Sequence, residues 1–451
     1  MVLRQAPGQV AIGRRDAGWA ARREGTMSDV TRRTWLGGLS AAGILAAAGA
    51  RGAIGPNDKF DLVIKGGEVV DPSQSLRAKR DVGIRFGVIE ALDPEIPAAR
   101  AQRVLDASGK LVLPGLVDLH AHTYPYGSAI GIPADETVPF SGVTTVVSAG
   151  DAGANNLAAL RRHIAAQTRT RMFAFVHIAN NGLSAFPVAE LYNIDNAQVE
   201  ACALALAENP DFVIGVKVRM SENVIFKHGA EPLRRAIQAC EMSGRPAKIM
   251  VHIGGVETAA LMSQILDLLR PGDILTHCYS GAPNLAGQFT NIVQDGKLLP
   301  AALEAKRRGV IFDIGHGGGS FDFTVAEAAI AQGAPPDTIS SDLHVVSGNT
   351  PGMPFLPWVM SKFLPLGFSP EQVVAMATSA PARVIDRGPK LGTLQVGAPG
   401  DVSVMEWVEG PVTFVDTRGN TRGGTAFLKP VQTVNTGVVF GRPFQAPFAV
   451  R

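Results

Sequence analysis

The sequence predicts an α/β protein: a closed parallel (β/α)8 barrel inserted into a small β-sandwich that both flanks of the chain build together. Three observations carry this. Short apolar runs punctuated by turn residues occupy both ends of the chain, strand-like and helix-like patterns alternate through the middle, and polar residues terminate the apolar runs there. With 451 residues, 46% hydrophobic and 18% charged, the chain can bury a large core, which excludes wholesale disorder. Fifty glycines and thirty prolines without a triplet period mean many turns rather than collagen, and three cysteines are too few for a disulfide framework.

The first 33 residues hold seven arginines and three acids, net +4, so the rest carries 35 basic and 37 acidic residues, net −2. The overall charge of +2 is therefore concentrated at the front and is no nucleic-acid footprint. Thr31-Arg32-Arg33-Thr34-Trp35-Leu36 leads into Gly37 to Ala50, a run of Gly, Ala, Ser, Leu and Ile that ends in Ala48-Gly49-Ala50. A charged region, a mildly apolar region and small terminal residues define a secretory signal over residues 1–50, and the paired arginines resemble its twin-arginine form. Met27 is the better-placed start. The apolar run is shorter than the ~20 residues of a spanning helix, so no stable membrane insertion is expected. The expected partner is the twin-arginine export machinery, and the expected location is periplasmic or secreted.

Strand-like runs follow at Leu62–Ile64, Val69–Val70, Val82–Ile84, Val88–Ile89 and Val104–Leu105. The same style returns at Gly400–Val404, Phe414–Val415 and Val438–Phe440. Each flank alone is marginal for a core of its own. Joined, residues 58–113 and 387–451 make one sandwich, and residues 114–386 form the insertion. Within it, apolar runs end near His120, Val147, His177, Lys217, His252, His277, Asp313 and Asp342, with helical patterns between them at Leu157–Thr168, Gln198–Glu208, Leu233–Met242 and Val256–Leu269. Eight β-α units over 273 residues fit a barrel, whose usual size is ~250.

Chemistry in such barrels lies at the C-terminal strand ends. In Asp118-Leu119-His120-Ala121-His122 the two histidines are two apart and share one side of an extended strand, so both imidazoles can converge on one ion. Val251-His252, Thr276-His277 and Ser341-Asp342 add two imidazoles and a carboxylate, and Lys217 ends another strand.

These residues resemble the amidohydrolase superfamily of metal-dependent hydrolases. The resemblance runs through Gly109-Lys110-Leu111-Val112-Leu113-Pro114-Gly115-Leu116-Val117-Asp118-Leu119-His120-Ala121-His122 and the closing Gly392–Asp401, and covers nearly all of the chain after the signal. It implies a TIM-like barrel flanked by a split β-sandwich and two divalent metal ions, zinc by preference. His120, His122 and Asp342 would hold one metal and His252 and His277 the other. Lys217, carboxylated by carbon dioxide, would bridge them. Burial gives such a lysine a neutral amine that carbon dioxide can convert into an anionic bridge. Asp342 would be general base and then acid for hydrolysis by a metal-activated water.

Phe140–Asn156, Gly215–Met220 and Phe312–Phe321 resemble the deacetylase branch, which cleaves acetyl groups from small amino or hydroxy acids and is often labelled dihydroorotase. A dihydroorotase usually has Arg where this chain has Tyr124, which counts against cyclic-amide chemistry. Arg219, two beyond Lys217, is the candidate cation for a substrate carboxylate, with Tyr279, His316 and His344 as further substrate contacts and His177 and Asn180 as weaker ones. A dihydropyrimidinase- or dihydroorotase-like hydrolase is the alternative enzyme. A non-catalytic scaffold is the alternative of another class, and the filled ligand positions argue against it. The expected partner in catalysis is a small-molecule substrate, and a homo-oligomer is the expected assembly of such relatives.

Overall fold

The computed structural model describes residues 55, 57–281 and 291–440; the expected signal segment, residues 1–50, and the last eleven residues of the C-terminal flank lie outside them. The N-terminal flank forms β1 (Phe60–Lys65), β2 (Glu68–Asp71), β3 (Leu76–Lys79), β4 (Asp81–Arg85), β5 (Val88–Asp93), β6 (Ala101–Asp106) and β7 (Leu111–Pro114). The chain then enters β8 (Leu116–Ala121), β9 (Val143–Gly153), β10 (Arg171–His177), β11 (Val213–Arg219), β12 (Lys248–His252) and β13 (Ile274–Thr276). A small ribbon, β14 (Val293–Gln294) and β15 (Lys297–Leu298), precedes β16 (Ile311–Asp313). The C-terminal flank supplies β17 (Val402–Val415), β18 (Thr421–Asn435) and β19 (Val438–Phe440).

The two flanks share sheets. One runs β5-β4-β1-β6 and the other β19-β18-β17-β7-β2-β3, with β17 pairing antiparallel to β7 so that Val402 faces Pro114 and Met405 faces Leu111. Leu62, Ile64, Val82, Ile84 and Val112 from one flank meet Val402, Val404 and Val434 from the other in a single apolar cluster, so neither flank has to bury a core alone. The hairpin of β17 and β18 is much longer than the short runs expected there, 14 and 15 residues, because pairing resumes past the polar positions that interrupt the apolar pattern, with register shifts at Val404/Met405 and Glu409/Val412.

The middle forms a parallel sheet of seven strands in the order β16-β13-β12-β11-β10-β9-β8. Its crossovers use helices Val199–Glu208, Glu231–Met242, Ala259–Leu268 and Pro300–Arg308. In Glu231–Met242 the buried residues Leu233, Ala236, Ala239 and Cys240 recur at helical spacing, so one stripe packs on the strands while the charged positions face outward. Thr258 caps the third of these helices by accepting from Leu261 N.

The eighth position is not a continuous strand. Segment 338–343 closes the circle through isolated bridges, Asp313 with Thr338 and Ala121 with Leu343, and hydrogen bonds run from it to both neighbours (Gly317 N to Ser341 O, 2.9 Å; Asp342 N to His120 O, 2.7 Å). A separate cluster of Val117, Leu119, Val147, Ala149, Phe173, Phe175, Met250 and Ile274 with Ala382, Ile385 and Leu391 fills the space enclosed by the strands. Among the described residues no helix is long and apolar enough to cross a membrane. Cys202, Cys240 and Cys278 are all buried free thiols.

Candidate metal centre and active site

Parallel register aligns the strand ends. Lys217 stands opposite His177 on one side and Met250 on the other, His252 opposite Arg219 and Thr276, and Thr276 opposite Asp313. The polar residues that terminate separate apolar runs therefore meet at one rim. His120 Nε2 and His122 Nε2 lie 3.2 and 3.1 Å from Asp342 Oδ1, and Lys217 Nζ lies 3.0 Å from His120 Nε2. His252 Nδ1 faces His277 Nε2 at 2.7 Å, and the His277 ring centroid is 5.0 Å from that of His120. Five of the six are buried and His252 is half-buried, yet His122, Lys217, His252 and Asp342 line an open cleft of about 270 Å³.

This donor set fits divalent cations. Ligands held at ~2.0–2.2 Å around one ion stand about 3.3 Å from one another, which is the spacing of both imidazole nitrogens from the aspartate oxygen. The ligand atoms of His120, His122 and Asp342 all fall within 4.8 Å of one another.

Two glycines permit the close approach. A Cβ on Gly150, whose φ is +87°, would meet Lys217 Cγ at 2.6 Å; one on Gly317, φ +52°, would meet Asp342 Oδ2 at 2.4 Å. His277 (φ +64°) and Asp342 (φ +48°) are themselves held in the left-handed region, which costs of order 1–3 kcal/mol each for non-glycine residues and is typical of functional positions.

The surroundings tune the charges. Burial pushes the Lys217 ammonium down to about 7, with Arg219 adding to the effect against the nearby aspartates. Burial also drives His120 and His252 far below the usual imidazole value and brings His277 to about 4, so these rings are neutral and have lone pairs to offer. His122 differs. Burial opposes its charge, but the Asp151 carboxylate outweighs this and holds it up at about 9. Asp342 stays ionised well below the ordinary carboxylate range: burial works against its charge, and the protonated His122 bonded to it more than offsets that cost.

Sequence reasoning missed the residues that orient the ligands. His122 Nδ1 bonds Asp151 Oδ1 at 2.8 Å, and Asp151 is itself fixed by Ser148 Oγ and Thr123 N. His120 Nδ1 bonds Thr276 Oγ1 at 2.8 Å, which donates to Asp313 Oδ2 at 2.7 Å. Such outer partners fix tautomer and ring direction. Ser221 was missed too; its buried Oγ lines the cleft and has no protein partner.

Of the candidate substrate contacts, Arg219 and His344 line the cleft, along with Ile130, Leu183, Phe186 and Val346. Arg219 Nη1 bonds both oxygens of the buried Glu190 (3.3 and 3.1 Å). Two others are corrected. Tyr279 is wholly buried and donates to Ala334 O at 2.7 Å, away from the cleft, because the left-handed turn at His277 ends the strand alternation that would have put it on the ligand side. His316 is likewise wholly buried, between Lys362 Nζ at 2.7 Å and Gly317 O at 2.8 Å; the glycines that follow it, Gly318 and Gly319, reach the cleft instead. The weaker candidate His177 is buried beside Glu190 (Nε2–Oε1 3.3 Å), behind the lining.

The family described as the amidohydrolase family matches residues 111–442. The chain belongs to the amidohydrolase family. This amidohydrolase is 36% identical over 335 residues to a deacetylase of Agrobacterium fabrum, covering 74% of the chain and 80% of that relative. It is 31% identical over 382 residues to a deacetylase of Enterococcus faecalis, covering 84% and 99%. Solved structures described as an adenine deaminase and a dihydroorotase each superpose with a TM-score of 0.75 at 31% identity, over 85% and 84% of this chain and 100% and 97% of theirs. The amidohydrolase is therefore a hydrolase with the barrel architecture expected.

Proposed function

We propose that this amidohydrolase is a dinuclear metal-dependent deacetylase that cleaves the acyl–nitrogen or acyl–oxygen bond of a small acylated amino or hydroxy acid. The observation that carries the reading is the clustering of His120, His122, Lys217, His252, His277 and Asp342 at one rim, where four of them line a cleft that Arg219 also lines. The deacetylase names of two relatives at 31–36% identity support it. Bound divalent metals, zinc in this reading, would supply a water of lowered pKa and polarise the scissile carbonyl. In that reading His120, His122 and Asp342 would hold one ion, His252 and His277 the other, with a carboxylated Lys217 as a ligand common to both.

The remaining work belongs to the chain. Asp342, kept ionised by its histidine neighbours, accepts the attacking water's proton and returns it to the leaving nitrogen or oxygen. Glu190 engages Arg219 through Nη1, and the rest of that guanidinium is available to fork onto a carboxylate in the cleft. Ser221 Oγ is a further donor for that carboxylate. Ile130, Leu183 and Phe186 give the acyl group an apolar lining, and the cleft's volume of about 270 Å³, just below the roughly 300–1,000 Å³ usual for ligand pockets, suits a small substrate.

Cyclic-amide hydrolysis is the second reading, favoured by the 31% identity to a structure described as a dihydroorotase. Against it, Tyr124 occupies the place of the expected arginine and is turned into the core, its hydroxyl 3.3 Å from Asn156 O. The test is a panel of N-acetyl-D- and L-amino acids, acetylated hydroxy acids, hydantoin and dihydroorotate, with zinc- and manganese-loaded enzyme. Deacylation of the acids is expected; ring opening without deacylation would overturn the proposal. Arg219→Met should raise KM for acidic substrates at least tenfold more than for neutral esters, and equal effects on both would remove its role. We further propose export by the twin-arginine route to the periplasm, on the residues Thr31–Leu36; replacing Arg32 and Arg33 with Lys should leave the protein in the cytoplasmic fraction.

A further inference from the structure

One buried charge takes no part in the chemistry above. Lys362, which follows helix Leu356–Ser361, is wholly inaccessible to solvent. Its three donors go to three neutral acceptors: His316 Nε2 at 2.7 Å, Gly352 O at 2.6 Å and Val415 O at 2.7 Å. Burial lowers its pKa to about 7, the Asp416 carboxylate pulling partly the other way. A buried ammonium is costly, and an apolar side chain of the same length commonly serves stability as well or better. The directed bonds are what the lysine adds.

Those bonds lead to the cleft. Because Lys362 Nζ donates to Nε2, His316 must carry its proton on Nδ1, and that N–H donates to Gly317 O at 2.8 Å. The ring is stacked on Phe321, centroids 5.1 Å apart and planes at 24°. Gly317 N donates to Ser341 O at 2.9 Å, and a Cβ at Gly317 would be 2.4 Å from Asp342 Oδ2, so this peptide is the wall against which the carboxylate rests. The same Lys362 Nζ grips Val415, the last residue of β17, and the hairpin tip just beyond it holds the same loop. Thr417 N donates to Phe321 O at 3.0 Å, Phe321 N to Thr417 Oγ1 at 3.1 Å, and Phe323 N to Asp416 Oδ2 at 2.9 Å.

We propose that Lys362 is a positioning residue for Asp342, acting through the His316 ring and the Gly317 peptide to fix the carboxylate of the proton carrier. The inference rests on the reading of Asp342 as general base. Lys362→Met should lower kcat about 10- to 100-fold, the scale of a misplacement of about an ångström, with KM changed less than twofold and metal content and unfolding midpoint retained. Gly317→Ala, which crowds Asp342 directly, should reproduce the same split between kcat and KM, and a crystal structure of either variant should show the Asp342 carboxylate displaced. Combined with His316→Phe, Lys362→Met should add almost nothing further to the loss in kcat.

Three results would overturn the role: kcat of folded, metal-loaded Lys362→Met within twofold of the parent, losses in the double variant that multiply, or an undisplaced carboxylate. If Lys362→Met does not fold, Gly317→Ala and His316→Phe decide by the same criteria. Asp342→Asn separates the two layers. Its inactivity beside an unaffected Lys362→Met defeats only the positioning role, whereas an active Asp342→Asn defeats the general-base reading itself.

Discussion

Lys217 concentrates the residue-scale argument. Its Nζ is buried among imidazoles and beside Met250 Sδ, 3.4 Å away, and burial holds the amine near 7, about 3.5 below the ordinary lysine value of 10.5. In the metal-free protein an unfolded chain binds this proton between about pH 7 and 10.5 while the folded chain does not, so stability rises with pH across that window. Lys217→Met should remove this residue's share of the slope, read from unfolding midpoints of metal-free protein at pH 7, 8 and 9. Reaction with carbon dioxide needs the neutral amine, so bicarbonate-dependent metal uptake should increase from pH 6 to 8 in the parent and be absent in Lys217→Met. The lysine was legible because it ends an apolar run in register with the histidines. Arg219 was legible for the same reason, since strand alternation persists between the two. Tyr279 was not, because nothing in Thr276-His277-Cys278-Tyr279 reveals that His277 adopts φ +64° and resets which side faces the cleft.

At the scale of elements, the length of β9 explains what the sequence concealed. Its apolar signal stops at Val147, but pairing continues to Gly153 through Ser148-Ala149-Gly150-Asp151, a stretch with no hydrophobic period to mark it as strand. That extension delivers Asp151 to His122. Asp151→Asn should lower the His122 pKa from about 9 and weaken metal binding 10- to 100-fold, measured by competition with a chelating dye. Removing the hydroxyl of Tyr279, by contrast, affects only the core: Tyr279→Phe should cost about 1 kcal/mol of stability, with kcat/KM unchanged. The eighth barrel position was anticipated from Ser341-Asp342 although it forms no continuous strand, because two single bridges are enough to bring the aspartate to the rim.

On the scale of the whole molecule, the split sandwich was readable from the matching style of the two flanks, and β7 against β17 is the pairing that unites them. What could not be read was that the β17–β18 hairpin extends beyond the sandwich to the loop 316–323: Val412 and Phe414 are buried at its outer end, but the exposed Glu409-Gly410-Pro411 interrupts the apolar alternation before them. A site whose ligands come from strands far apart in sequence should also stabilise the chain when filled, by RT ln(1 + [L]/Kd), about 4 kcal/mol at a thousandfold excess over Kd. Chelation followed by dialysis should therefore lower the unfolding midpoint by several degrees, and one added metal equivalent after another should restore it.

The hairpin's reach bears on the timing of synthesis. Every side chain proposed to hold metal has been synthesised once residue 342 is added, but the tip that clasps the neighbouring loop is made some seventy residues later. A nascent polypeptide halted near residue 400 would carry all the ligands around an unbraced rim. Completion of the catalytic mouth therefore waits on the C-terminal flank, the last part of the polypeptide to be made.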